Sequence, residues 1–154
     1  MEGKEETYLI LDVNMLYDLY KSDKALIPLI SSSVGQIHLA SSGLEQIKFI
    51  NKSDCYSLGI HIIEPNVKHL FDAMTRRGTL SFQDHLCLIL AKENGWTCVT
   101  NCNPLRRECE IENIPFIWRN DIIRKIALSG AITAVTEKKL LNQLARFNPI
   151  MYRT

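Results

Sequence analysis

Three acidic residues stand where an α/β chain can gather its chemistry. Asp12 closes the apolar run Tyr8-Leu9-Ile10-Leu11, Glu45 follows Ser41-Ser42-Gly43 after a second apolar run, and Asp84 follows Ser81 at the head of an apolar helical stretch. Thr100, Asn101 and Asn103 add neutral oxygen donors just after the run Trp96-Thr97-Cys98-Val99. Open parallel α/β sheets bind ligands beyond the carboxyl ends of their strands, so these residues are candidates for one shared site. Carboxylates held together repel, and without a counter-charge at least one of them is pushed toward its protonated form. A divalent cation removes that conflict, and oxygen donors without His or Cys suit Mg2+ or Mn2+. Such an ion polarises a phosphoryl oxygen and lowers the pKa of water, which is what phosphodiester hydrolysis needs. Taken singly, each acid has a plainer role. Asp12 suits a turn or a helix cap, while Glu45 and Asp84 suit the first turns of helices, where a negative charge complements the dipole.

The elements that must place these residues follow from the spacing of apolar positions. Short continuous apolar runs, such as 8–11, are the pattern of strands buried on both faces of a parallel sheet. Further strands are expected at 36–40, 59–63, 96–100 and 114–118. Between them, helical spacing predicts helices after Asp12, over about 24–30, from Ser41 through Glu45 to Ile50, over 67–76, from Ser81 to Asn94-Gly95, and over 105–113. A final helix pair is expected over about 120–129 and 137–147. Strands alternating with helices point to a three-layer α/β/α fold with a mainly parallel central sheet. Neither a linker nor an internal repeat interrupts the pattern, so residues 1–154 read as a single domain.

Composition narrows the function classes. With 46% hydrophobic and 23% charged residues, the chain has the material for a packed core. The formal charge of +1 and pI near 7.6 exclude a strongly basic nucleic-acid binder, although a local patch beside a metal site remains compatible with RNA. No apolar run reaches the roughly 18 residues that a membrane span requires, and the opening Met-Glu-Gly-Lys-Glu-Glu lacks the order of a secretory signal. Five cysteines, an odd number and mostly within apolar runs, suggest free thiols in a reduced, cytoplasmic setting.

The segment LILDVNMLYDLY, in which Asp12 and Asn14 close an apolar strand and an apolar helix follows, resembles the opening of PIN-domain proteins. LSFQDHLCLILAKENGWTCVTNCNPLRRECEIENIPFI is similar to the second half of that family, through Asp84, Ala91, Gly95, Thr100, Leu105 and Arg106. Glu45 lies in the region after the second strand where the family usually has its second acid. The resemblance spans about residues 8–150, and the tail SGAITAVTEKKLLNQLARFNP is similar to that of the bacterial VapC-like toxin branch. It implies a Mg2+- or Mn2+-dependent endoribonuclease with Asp12, Glu45 and Asp84 as catalytic and metal-binding acids. Asn14, Thr100, Asn101 and Asn103 would support that site. It also implies a homodimer, acting as the toxin partner of a small antitoxin protein that blocks the site.

The chain departs from the family in one place. The family generally carries an Asp in the turn after Thr100, and Cys102 holds that place. A thiol is a poor Mg2+ ligand, so the expectation is a working site of weakened metal affinity. The rival expectation is a degenerate PIN-like module that binds RNA or a partner protein without cleaving. Arg106 and Arg107, opening the next helix, are expected as RNA phosphate contacts or as a solvated basic pair. A haloacid-dehalogenase-like phosphatase would need a second Asp two residues after Asp12, where Asn14 stands, and the Cys98, Cys102, Cys109 spacing fits no common zinc finger.

Overall fold

The apolar runs assemble as one parallel sheet. The computed structural model describes residues 7–45, 47–76, 78 and 80–147. Its strands are β1 (Tyr8–Leu11), β2 (Gln36–Ala40), β3 (Ile60–Ile63), β4 (Thr97–Thr100) and β5 (Phe116–Trp118), in the order β3-β2-β1-β4-β5. Every neighbouring pair is parallel, with Leu9 opposite Ile37, Ile37 opposite Ile60, Ile10 opposite Cys98 and Val99 opposite Ile117. Parallel neighbours need crossover connections, which place helices on both faces. In chain order these are α1 (Val13–Ser22), α2 (Leu26–Ser33), α3 (Ser41–Leu44), α4 (Lys52–Ser57), α5 (Val67–Thr75), α6 (Phe82–Asn94), α7 (Asn103–Ile111), α8 (Arg119–Leu128) and α9 (Ala134–Phe147).

Strand side chains alternate between faces, and each face has its own apolar layer. Leu9, Leu11, Ile37 and Leu39 pack with Leu16 and Leu19 of α1, Ile27 and Ile30 of α2, Ile123 of α8 and Leu144 of α9. Ile10, Ala40 and Cys98 point the other way, onto Leu86 and Leu90 of α6, Ala73 of α5 and Leu105 of α7. The middle of α6 is buried continuously from His85 to Ala91, because the helix lies between the sheet and its neighbours α5 and α7. That enclosure explains an apolar run without a polar stripe. Each fully buried leucine in these layers contributes about 1.5–3 kcal/mol, and truncating one to alanine costs about 2–5 kcal/mol.

Helix ends follow the local signals. Ser81 Oγ accepts the Asp84 N–H at 3.1 Å to open α6, and Gly95, at φ 72°, closes it in the left-handed region that favours glycine. Ile114, expected within a strand, instead ends the α7 turn: its N–H donates to Cys109 O at 2.8 Å after Asn113 at φ 59°. α9 begins at Ala134 rather than near Glu137, because Thr133 Oγ1 accepts the Thr136 N–H at 3.1 Å.

The largest departure from the sequence pattern follows β2. The expected helix through Glu45 to Ile50 ends at Leu44, with Glu45 as its C-cap. A new helix, α4, opens at Asn51 with a capping box: Asn51 Oδ1 accepts the Asp54 N–H at 2.8 Å, and Asp54 Oδ2 accepts the Asn51 N–H at 3.0 Å. Asn51 must be extended to make that box, so a helix cannot run through it. Phe49, between the two helices, anchors the loop by packing its ring 5.3 Å from Tyr17 and 5.2 Å from Tyr20. Among the described residues no helix is long and apolar enough to cross a membrane.

Candidate functional site

The sheet order reverses at β1: the chain moves to β2 on one side and returns through α6 to β4 on the other. Beyond the carboxyl ends of β1 and β4, where such a reversal leaves a crevice, a cleft of about 620 Å³ opens. Asp12, Asp18 and Asp84 line it together with Thr100, Asn101 and Cys102. Asn14 and Arg146 stand at its sides.

Asp12 is both the helix cap and a cleft acid. Its Oδ1 accepts the Met15 N–H at 2.8 Å, which fixes the carboxylate at the N-terminus of α1. Burial pushes its carboxyl up to about 7; the Met15 N–H opposes the rise, and the Asp84 carboxylate, with Asp18 behind it, adds to it. Asp84 is held in the first turn of α6 by the Ser81 cap, so two helix N-termini deliver two carboxylates to one cleft.

Asn101 supplies a third oxygen. The residue is 7% exposed, and its Oδ1 is buried with no hydrogen-bond partner. A buried oxygen left in this state costs about 1–3 kcal/mol, and its residue lines the same cleft as the two carboxylates, a donor set whose chemistry suits a hard cation. Thr100 shapes the turn: its Oγ1 accepts the Cys102 N–H at 3.0 Å and donates to Cys102 O at 3.3 Å. Burial pushes the Cys102 thiol up, opposed by the Leu105 N–H and assisted by Asp84 and Asp12. Cys102 is therefore a neutral thiol beside the acids. Among the described residues no three His, Cys, Asp or Glu side chains form a metal-holding group. The oxygen set on offer is two carboxylates and one amide.

Of the residues marked out by the sequence, Asp12, Asn14, Asp84, Thr100 and Asn101 come together in the cleft. Glu45 does not line it and is exposed at the end of α3. Asn103 is buried at the start of α7, where its Oδ1 accepts from Arg106 Nε at 3.4 Å. Arg106 also pairs with Glu110 and lies 5.9 Å over the Trp118 ring, while Arg107 is exposed; neither lines the cleft.

Three residues of the site are not apparent from motif spacing. Asp18, 4% exposed, pairs with Arg119 Nη1 at 2.9 Å, and Arg119 Nη2 donates to Leu144 O at 3.1 Å. This pair ties α1 and α8 to the last turns of α9, which bring Arg146 to the cleft. The available signal is an acid on an apolar stripe: Asp18 sits among Met15, Leu16 and Leu19, where a charge requires a buried partner. Arg119, directly after β5, occupies the strand-end position at which such a partner can stand.

No family model and no curated protein matches the chain. Among solved structures it is similar to a PilT N-terminus (PIN) domain protein from the hyperthermophilic archaeon Sulfolobus solfataricus P2. The TM-score is 0.56 at 10% sequence identity, over 78% of this chain and 93% of that one. The five-stranded, mainly parallel sheet between two helical layers is a PIN-like α/β/α fold.

Proposed function

We propose that this chain is a Mg2+- or Mn2+-dependent ribonuclease that hydrolyses RNA phosphodiester bonds in the cleft beyond β1 and β4. The carrying observation is the convergence of Asp12, Asp84 and the unpartnered Asn101 Oδ1 in one cleft. These three would hold the ion. When bound, it supplies charge neutralisation at the phosphoryl group and a more acidic water. Asp12, with its carboxyl raised to about 7, would have to give up its proton to hold the ion, so ion binding should weaken as pH falls below that value. Thr100 holds the turn at Cys102, and Asn14 and Arg146, which line the same cleft, would support the site, Arg146 as a phosphate partner.

The toxin role, a small antitoxin, a homodimer and a cytoplasmic setting belong to the VapC-like form of this reading. They are supported by the resemblance of the tail, residues 129–149, to that branch, and the cytoplasmic setting by the odd number of free cysteines. An exposed apolar stripe on α5, Val67, Phe71 and Met74, favours a protein contact. A second reading, a module that binds RNA without cutting, is favoured by the neutral thiol at Cys102 and the position of Glu45 outside the cleft.

Incubation of purified protein with single-stranded and structured RNAs in Mn2+ or Mg2+ separates the two. Cleavage that chelator abolishes, and that Asp84→Asn loses, supports the ribonuclease. Binding without cleavage across those RNAs supports the module, and cleavage retained by Asp84→Asn sinks the proposed site.

A further inference from the structure

α9 carries a second feature that the acid site does not use. At 3.6 residues per turn, Val135, Lys138, Lys139, Asn142, Gln143 and Arg146 fall on one face, and together they line a shallow depression of about 390 Å³. Leu140 and Leu144, 4% and 0% exposed, face the core on the other side. The one acid of α9, Glu137, lies off this face and lines a separate depression with Arg124 and Leu128. Lys138, Lys139 and Arg146 form no ion pair among the described residues; Lys24, Lys68, Arg107 and Lys125 form none either but stand apart on other segments, whereas the three on α9 share one face. Arg146 lines both this depression and the acid cleft. Three cations on one acid-free helix face, in a chain of net charge +1, therefore run directly into the acid site.

We infer that this face of α9 is a track for the phosphate backbone of single-stranded RNA, leading the strand into the cleft. The inference rests on the ribonuclease reading only for the identity of the strand. Lys138 to Arg146 spans about 12 Å of helix, enough to meet more than one phosphate of an extended chain. The lysines act as point charges, and Arg146 offers a forked donor to the phosphate nearest the acids. Asn142 and Gln143, between them, supply hydrogen bonds to phosphate or ribose oxygens. Such contacts carry no base specificity, so the track predicts sequence-tolerant, salt-sensitive binding. The Asp18–Arg119 pair, through the bond from Arg119 to Leu144 O, keeps this end of α9 in register with the cleft.

The test is fluorescence anisotropy of a labelled single-stranded RNA oligonucleotide titrated with protein over a range of salt, in chelator so that nothing is cut. For the pair Lys138→Gln and Lys139→Gln, the slope of log affinity against log salt should fall by about 1.4, with about 25-fold weaker binding near 0.1 M salt. The same charge change at exposed Lys24, in the turn before α2, and Lys68, on α5, should leave the slope where it was. An unchanged slope in the Lys138/Lys139 variant, no RNA binding by the parent, or equal competition by an acidic peptide of matched charge would overturn the track. Failure to cleave with Mn2+ together with the expected loss of slope would remove the ribonuclease reading and leave the track standing. Cleavage without any loss of slope would do the reverse.

Discussion

Asp12→Asn removes a charge from the cleft and little else. Asn caps a helix about as well as Asp does, so the bond from the Met15 N–H at 2.8 Å is retained. The Asp12 carboxyl rises from 3.8 to about 7 in the folded chain. At about 1.4 kcal/mol per unit, a gap of roughly three units limits the cost of ionising it in the fold to about 4 kcal/mol. Partial exposure of Asp12 to the open cleft brings the expected cost to about 2 kcal/mol. Between 3.8 and about 7 the folded chain keeps a proton that the unfolded chain releases, so parental stability falls as pH rises through that window and levels off above it. The variant has no such loss. In chelator, its stability relative to the parent should be near the baseline at pH 4 and about 2 kcal/mol higher at pH 8, or about 4–8 °C in Tm. Millimolar Mn2+ at pH 8 should raise the Tm of the parent and leave the variant unmoved. Thermal unfolding across pH, with and without the ion, measures all of this. A variant–parent difference that is the same at pH 4 and pH 8, or a variant less stable at pH 8, would refute the reasoning.

Three further perturbations probe the same architecture. Cys102→Asp places a third carboxylate beside Asp12 and Asp84, and should move the Mn2+ dependence of thermal stabilisation to lower concentration by about tenfold or more; an unchanged titration would show that position 102 does not reach the ion. Arg119→Met removes the Asp18 contact at 2.9 Å and should cost about 3–5 kcal/mol in urea unfolding, a cost that the double variant with Asp18→Asn should largely relieve. Gly43→Ala puts a Cβ 3.0 Å from Val13 Cγ1 and 3.4 Å from Gln83 Oε1, the neighbours in sequence of Asp12 and Asp84. It should cost about 1–3 kcal/mol and slow any cleavage more than an equal loss of stability elsewhere, so parental activity in this variant would argue against a close fit of α3 to the two acid-bearing helices.

The sheet was legible because its strands are continuous apolar runs with Gly or polar residues at their ends, and Tyr8–Leu11 ending at Asp12 is the plainest of them. α6 was legible for a similar reason: Ser81 and Gly95 mark both ends of an apolar stretch. The segment after β2 was not, because apolar spacing at Ile47, Phe49 and Ile50 imitates a helix while Asn51 and Asp54 quietly start another. Glu45 lies before that boundary, helical and with its N–H donating to Ser41 O, and stands exposed outside the cleft; no local pattern states which way α3 presents it. Asp18 and Arg119 lie 101 residues apart, and no local pattern states that they meet. Arg146 reaches the cleft only through that pairing and through α9, which is again a contact between distant parts of the chain.

The claim on which the rest depends is that Asp12, Asp84 and Asn101 Oδ1 hold one divalent cation. Crystals soaked in Mn2+ at pH 8 and measured at the manganese absorption edge test it directly. The expected result is an anomalous peak in the cleft, in contact with both carboxylates and the Asn101 oxygen, that disappears in Asp12→Asn. No peak in the cleft, or one held instead at Glu45, would contradict it.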